Sequence, residues 1–374
     1  MQLKSNQEKP KKNKFSSSVK VLSISTLSGL VSGARFLFMF YFSTMENGAK
    51  DSVADVVFIN GNNAVFVSLF STLVLIPLAQ FKNYNKRAIF LFLTFSLIIS
   101  FIWHLVYDYE TWLISLMSFV MFVNILYELA RRLLFIVKES YVKAIDVIVS
   151  VTYLSILLIS VLYSWNIYTY LCITSSTLLL FILFIINRLP KNQFIEVPMF
   201  EFFKLNHSGV GQSLLMFISG NYIYQLISFY GNSNVFTKVN IIRIWITPIS
   251  LLLNGLDFVY SKDKYEGNVP NWVILLTIIF TFLSFRFFDD YTYIYCSAFV
   301  LIIPFQFWLR GLQIKLRQFL LHKVIWRLNI AFVFLSILFS TLIVFFVDWA
   351  YWSWYLILVY FSLWIIWIFG KRRG

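Results

Sequence analysis

Two arginines stand where a permanently charged side chain has no bulk water around it. Arg35 falls deep in the apolar run 19–42, and Arg243 lies in the run 238–259, with Lys238 about one turn closer to its start. An ionisable group at membrane depth is costly unless it is paired or faces water, so each is a functional candidate. A guanidinium turned towards a central cavity is suited to hold a pyrophosphate or an acidic sugar, because its planar fork donates two hydrogen bonds to one anion. The alternative for Arg35 is a buried carboxylate partner or a side chain that snorkels outward, and for Lys238 it is simple residence at the interface. Glu128, Asp146 and Asp257 lie near span ends and could couple transport to H⁺ or Na⁺. Arg131, Arg132, Lys143 and Lys262 stand within a turn or two of them, which favours ion pairs instead. His104 could relay protons or serve as a hydrogen-bonded structural histidine. Asn60, Asn62, Gln80, Asn221, Gln225 and Gln306 could meet sugar hydroxyls or hold helices together.

Other chemistries lack their residue patterns. There is no phosphate-binding glycine loop, no zinc-ligand spacing and no nucleophile elbow, so the expectation is a protein without cofactor or metal and not a soluble-type enzyme. Cys172 and Cys296 both fall inside predicted spans and read as small buried apolar residues, with no disulfide framework. His104, His207 and His322 are scattered and make no cluster.

The elements that must position these charges are membrane spans. The chain is 59% hydrophobic and 13% charged, more apolar than a soluble protein of 374 residues needs for its core. Twelve apolar stretches lie near 19–42, 63–81, 88–107, 112–130, 144–163, 168–187, 211–230, 238–259, 271–287, 291–309, 328–347 and 350–369. Each is close to the ~20 residues that cross a hydrocarbon core, and in lipid such segments must be helices. The loops between them tend to alternate in charge. Most of the 31 Lys and Arg fall in the first tail and in every second loop, whereas Asp51, Asp55, Asp108, Glu110, Asp289, Asp290 and Asp348 fall in the others. Basic loops stay cytoplasmic, so both termini are expected inside, and an even number of spans follows. The net charge of +14 is thereby assigned to topology and to anionic lipid headgroups, not to nucleic acid. Trp112, Trp165, Trp349, Trp352 and Trp354 at one set of span ends and Trp272, Trp308 and Trp326 at the other form the expected interfacial belts. Ser32-Gly33-Ala34 could pass as a leader cleavage site, but the apolar run continues to Phe42 and cleavage would put the amino end outside, so a retained first helix is expected.

The fold expected is therefore all-α and integral to the membrane, with about 12 spans in two six-helix lobes. Residues 1–18 form a basic tail, 19–187 the first lobe, 188–210 a cytoplasmic linker carrying Pro190 and Pro198, 211–370 the second lobe, and 371–374 a second basic tail. Six spans per lobe gives the two halves the same orientation, as in transporters repeated about the membrane normal.

Three stretches carry a family resemblance. The opening VKVLSISTLSGLVSGARFLFMFYFS resembles the first span of polysaccharide flippases in the multidrug/oligosaccharidyl-lipid/polysaccharide (MOP) exporter superfamily. ELARRLLFIVKESYVKAIDVI is similar to the exit of their fourth helix, and SGNYIYQLISFYGNSNVFTKVNIIRIWITPISLLLNGL to their seventh and eighth spans. The resemblance implies two lobes around a cationic cavity that opens alternately to either side. Its implied cargo is an undecaprenyl-pyrophosphate-linked oligosaccharide, such as an O-antigen repeat, flipped across a bacterial inner membrane alongside other polysaccharide assembly proteins. Arg35 and Arg243, with Lys238, would face its charged headgroup. Two rivals differ in features. A membrane-embedded glycosyltransferase or O-antigen polymerase would use Asp51, Asp55 or the Asp108–Glu110 cluster on the outer face, but this chain has no large outer loop to hold a glycan. A multidrug-type exporter would have an acidic cavity, and the deep charges here are mainly basic.

Overall fold

The structure is a computed structural model. It describes residues 31, 34, 35, 37–43, 49–75, 83–137, 139–188, 195–204, 207–230, 235–241, 243, 244 and 322–346, with single helical positions at 275, 278, 279, 282, 304, 358, 359, 361–363 and 365. Nearly all of these residues are helical. The helices are α1 (within 31–43), α2 (Ala49–Phe70), α3 (Lys86–Leu105), α4 (Thr111–Val137), α5 (Glu139–Leu162), α6 (Ile167–Arg188), the short α7 (Met199–Lys204), α8 (His207–Tyr230), α9 (within 235–244) and α10 (His322–Phe346). Six helices among the described residues are long and apolar enough to cross a membrane: Asp51–Leu75, Lys86–Leu105, Thr111–Leu134, Tyr141–Leu162, Ile167–Asn187 and Trp326–Phe346. The chain is thus compatible with a multi-pass membrane protein.

Helix α3 shows why a bilayer is the fitting solvent. Its buried residues are Ala88, Ser96, Ser100 and His104, while Phe90, Phe95, Ile98 and Ile102 face outward. Phe95 is 64% exposed and His104 only 1%. Water would reverse that order; a hydrocarbon solvent permits it, because small and polar residues then give the close packing between helices. Helix boundaries follow local chemistry. The Asn85 side chain accepts from Ala88 N at 2.8 Å to cap α3, and Asn166 accepts from Thr169 N at 2.8 Å to open α6. The turns that follow α3 and α5 contain Asp108 (φ 55°) and Ser164 (φ 51°), single left-handed residues of the kind that stop helices.

Four boundaries and placements differ from the sequence expectation. The second span starts at Ala49, not near 63, and runs on as a π-helical segment, Ser71–Leu75. Asp51, Asp55, Asn60 and Asn62 lower the hydropathy of that stretch, yet their helix is continuous because Asp51, Asp55 and Asn62 find partners on neighbouring elements. The fourth span continues past 130 to Val137, which carries Arg131 and Arg132 inside α4 instead of in a loop. Cys172 is exposed on α6, not buried, since a weakly polar thiol is at no disadvantage on an apolar face. Within the expected linker, Ile195–Glu196 pairs in parallel with Asn83–Tyr84, and Asn85 Nδ2 donates to Val197 O at 2.8 Å. Those contacts put the segment after the second span and the linker on the same side of the bundle. Both termini, the ninth and tenth expected spans apart from single positions, and Cys296 lie outside the described residues.

Packing divides into two apolar clusters. The larger draws on α1 through α6, with Phe202 of α7 and Ile244 of α9, and has Val56, Met117, Ile145 and Tyr170 among its buried members. The second joins α8, α9, α10 and positions 359 and 363, around Ile223, Ile227, Phe332 and Val359. Phe58 of α2 belongs to the second cluster although α2 otherwise packs in the first, and α9 likewise gives Ile244 to the first and Val239 to the second, so the two clusters meet along α2 and α9.

Candidate functional site

Arg35 is held within the first cluster. Its Nη2 donates to Asn124 Oδ1 on α4 at 2.6 Å, and its Cζ lies 5.3 Å from the Tyr153 ring centre and 5.8 Å from that of Tyr127. Two aromatic faces and one amide thus enclose the cation at the middle of α4 and α5, where cation–π attraction replaces part of the lost hydration. Tyr127 also leads away from it. The Tyr127 hydroxyl donates to Asp146 Oδ1 at 2.6 Å, and Arg131 Cζ lies 5.6 Å from the same ring. Arg131 in turn donates from Nη2 to Asp146 Oδ2 at 3.1 Å, with its Nε in ion-pair contact with Oδ1 at 2.9 Å, and meets Glu128 Oε1 with Nη1 at 3.3 Å. Asp146, expected as either an ion-coupling group or an ion-pair partner, is thus a buried carboxylate that accepts from a guanidinium on one oxygen and a tyrosine hydroxyl on the other.

Arg243 stands at the seam between clusters. Its Nη2 donates to Asn221 Oδ1 at 3.1 Å and its Nη1 to Asn240 Oδ1 at 3.5 Å. Each asparagine returns its Nδ2 to a carbonyl four residues earlier, Phe217 O at 3.1 Å and Phe236 O at 3.0 Å, which fixes both amide oxygens towards the cation. Arg243 Cζ lies 3.7 Å above the Tyr224 ring. Gly61 of α2 also adjoins it: a Cβ there would come within 2.5 Å of Nη2, so only glycine leaves room for the guanidinium as placed. One residue on, Asn62 Oδ1 accepts from Gln225 Nε2 at 2.5 Å, and Gln225 Oε1 accepts from the Tyr107 hydroxyl.

The seam continues to the Asp51 end of α2. Asp51 Oδ1 accepts from Thr237 Oγ1 at 2.7 Å and Asp55 Oδ1 from the Tyr109 hydroxyl at 3.1 Å. Burial raises the phenol pKa of Tyr107 and of Tyr109, and the neighbouring Asp55 carboxylate raises Tyr109 further, so both remain proton donors. Lys238 is half-buried one residue after Thr237, which puts it at this end and away from Arg35. His104 is buried near the end of α3. Its Nδ1 must carry the hydrogen given to Ser100 O at 2.7 Å, and its buried Nε2 has no partner among the described residues. Ser100 Oγ extends the group to Asn63 Oδ1 at 2.7 Å. Asp257 lies outside the described residues.

The sequence candidates are therefore not gathered at one point. Arg35 shares a network with Asp146, Arg243 shares a seam with Lys238 and the α2 amides, and His104 belongs to neither. Asn124, Tyr127, Tyr153, Gly61, Tyr224 and Asn240 escaped the sequence reading. A signal for the first two was present: Asn124, Tyr127, Glu128 and Arg131 recur at helical spacing through a run that is otherwise mostly apolar. Gly61 and Tyr224 had no such signal, because both matter only through contact with a distant helix. No family model, no curated protein and no solved structure matches this chain.

Proposed function

We propose that this protein is a flippase. It carries a polyprenyl-pyrophosphate-linked oligosaccharide repeat from the cytoplasmic to the outer leaflet of a bacterial inner membrane by alternating access, with no covalent step. The observation that carries the reading is a guanidinium enclosed in the helix bundle on each side of the α2 boundary, Arg35 in one packing cluster and Arg243 against the other, each set among amides and tyrosine faces. A transporter of a neutral or cationic cargo has no use for two such charges, whereas an anionic headgroup does. The resemblance of three local stretches to polysaccharide flippases of the MOP superfamily supports the same cargo. In this reading the headgroup phosphates meet Arg35 and Arg243, Lys238 adds charge near one end, and the lipid tail stays in the bilayer. Two lobes of six spans, with termini in the cytoplasm, would rock about the α2 seam, driven by an ion gradient acting on Asp146, Asp257 or His104.

The test is the sidedness of lipid-linked repeats in cells lacking the protein. Complete units held on the cytoplasmic leaflet support the flippase; incomplete units indicate a glycosyltransferase, and complete unpolymerised units outside indicate a polymerase. Arg35→Ala and Arg243→Ala should each abolish export while membrane insertion is retained. Normal export by both variants would overturn the assignment.

A further inference from the structure

Glu128 is the least settled member of the Arg35 network. Its carboxylate stands one turn from Arg131 and Arg132 along α4. Its one hydrogen bond to them here, to Arg131 Nη1, is 3.3 Å long and joins residues one turn apart on the same helix. Asp146 is bound quite differently. It accepts from Nη2 of Arg131 at 3.1 Å and from the Tyr127 hydroxyl, and its side chain is 3% exposed against 30% for Glu128. A partly exposed pair at that spacing is weakly held, whereas a buried carboxylate that accepts from a guanidinium on one oxygen and a tyrosine hydroxyl on the other is fixed. Of the two carboxylates on Arg131, one is built in and the other is exchangeable.

The exchangeable one sits where an external anion would gain most. Arg131 and Arg35 both lie beside the Tyr127 ring, at 5.6 and 5.8 Å from its centre, and they come from different helices. A diphosphate spreads its charge over two phosphoryl groups, and two forks set around one ring can engage both.

We propose that Arg131 joins Arg35 in the part of the diphosphate site that lies in the first cluster, that Glu128 is a resident anion which the headgroup displaces, and that Asp146 is the positioning residue that aims Arg131. The proposal rests on the flippase reading and adds a residue to the arginines that take the phosphate half of its cargo. It assigns Arg131, which the sequence reading placed in a basic loop, a part in binding.

The test is direct binding to the full-length protein in detergent, with a short isoprenyl diphosphate, the corresponding isoprenyl alcohol and inorganic pyrophosphate as probes. Glu128→Gln should tighten isoprenyl diphosphate binding by roughly tenfold, the scale of one removed charge repulsion that solvent partly screens. Arg131→Lys, which keeps the charge but loses the fork, should weaken it by roughly tenfold. Arg131→Gln combined with Asp146→Asn removes the built-in pair together; it should bind weakly while its thermal unfolding stays close to that of Asp146→Asn alone. The alcohol should not bind in a Glu128-dependent way. Pyrophosphate following the same variant order means that the phosphates suffice, and the same order with the lipid probe alone means that the chain is also read. If Arg35→Gln weakens binding while Glu128→Gln and Arg131→Lys bind as wild type, the inference fails and the flippase reading stands. If the wild-type protein binds no diphosphate, both fail.

Discussion

Arg35 and Arg243 are the same side chain enclosed by different means. Around Arg35 the helices α4 and α5 supply other charges, and Tyr127 links the cation to a closed ion pair, Arg131 with Asp146. Around Arg243 the described hydrogen bonds come from two asparagine amides, and the space comes from a missing side chain at Gly61. The first surrounding depends on charge balance inside one packing cluster. The second depends on how closely α2 approaches α8 and α9, that is, on contact between the two clusters. A disturbance of the first should therefore appear as lost stability together with lost export, and a disturbance of the second as lost export with stability largely retained.

The largest effect expected is at Asp146. Asp146→Ala leaves the half-buried Arg131 without the buried carboxylate it holds, and breaking a buried pair from one side costs about 3–5 kcal/mol. Thermal unfolding in detergent measures it, and an unfolding temperature unchanged from wild type would show that the network does not support the fold. Next is Gly61→Leu, which forces a branched side chain into the space of the Arg243 guanidinium and should cost about 1–3 kcal/mol. Gly61→Ala separates the two regions more sharply. Alanine gains about 0.5–1 kcal/mol of helix stability over glycine, which offsets the displaced guanidinium end, so unfolding should move little while export falls. Equal losses of stability and export in that variant would erase the distinction drawn between the two arginines. The smallest effect belongs to Asn62→Leu, which breaks the hydrogen bond from Gln225; interhelical bonds of this kind contribute about 0.6 kcal/mol on average. A double-mutant cycle of Asn62 and Gln225 checks it, and coupling above about 2 kcal/mol would mean that the seam is a rigid joint.

What was legible in the sequence followed from solvent alone. Apolar runs of spanning length located the third, fifth and sixth helices to within a few residues, because hydrocarbon admits no other backbone. The second helix was misplaced at its start for the converse reason: Asp51 and Asp55 read as loop residues until Thr237 and Tyr109 are seen to receive them. The fourth was cut short at its charged end, where Arg131 finds Asp146 on the next helix. Such partners are far apart in sequence, so no window of residues reveals them.

By itself, then, the sequence determined the class of protein, the presence of deep cations and most of the helices that carry them, since hydropathy and charge are properties each residue brings with it. Only the tertiary structure decided which cation meets which group. Arg35 to Asn124, Arg131 to Asp146 and Arg243 to Gly61 and Asn221 are pairings across helices. They depend on helix rotation and on close approach, and these are fixed by packing around the whole bundle rather than by any one segment.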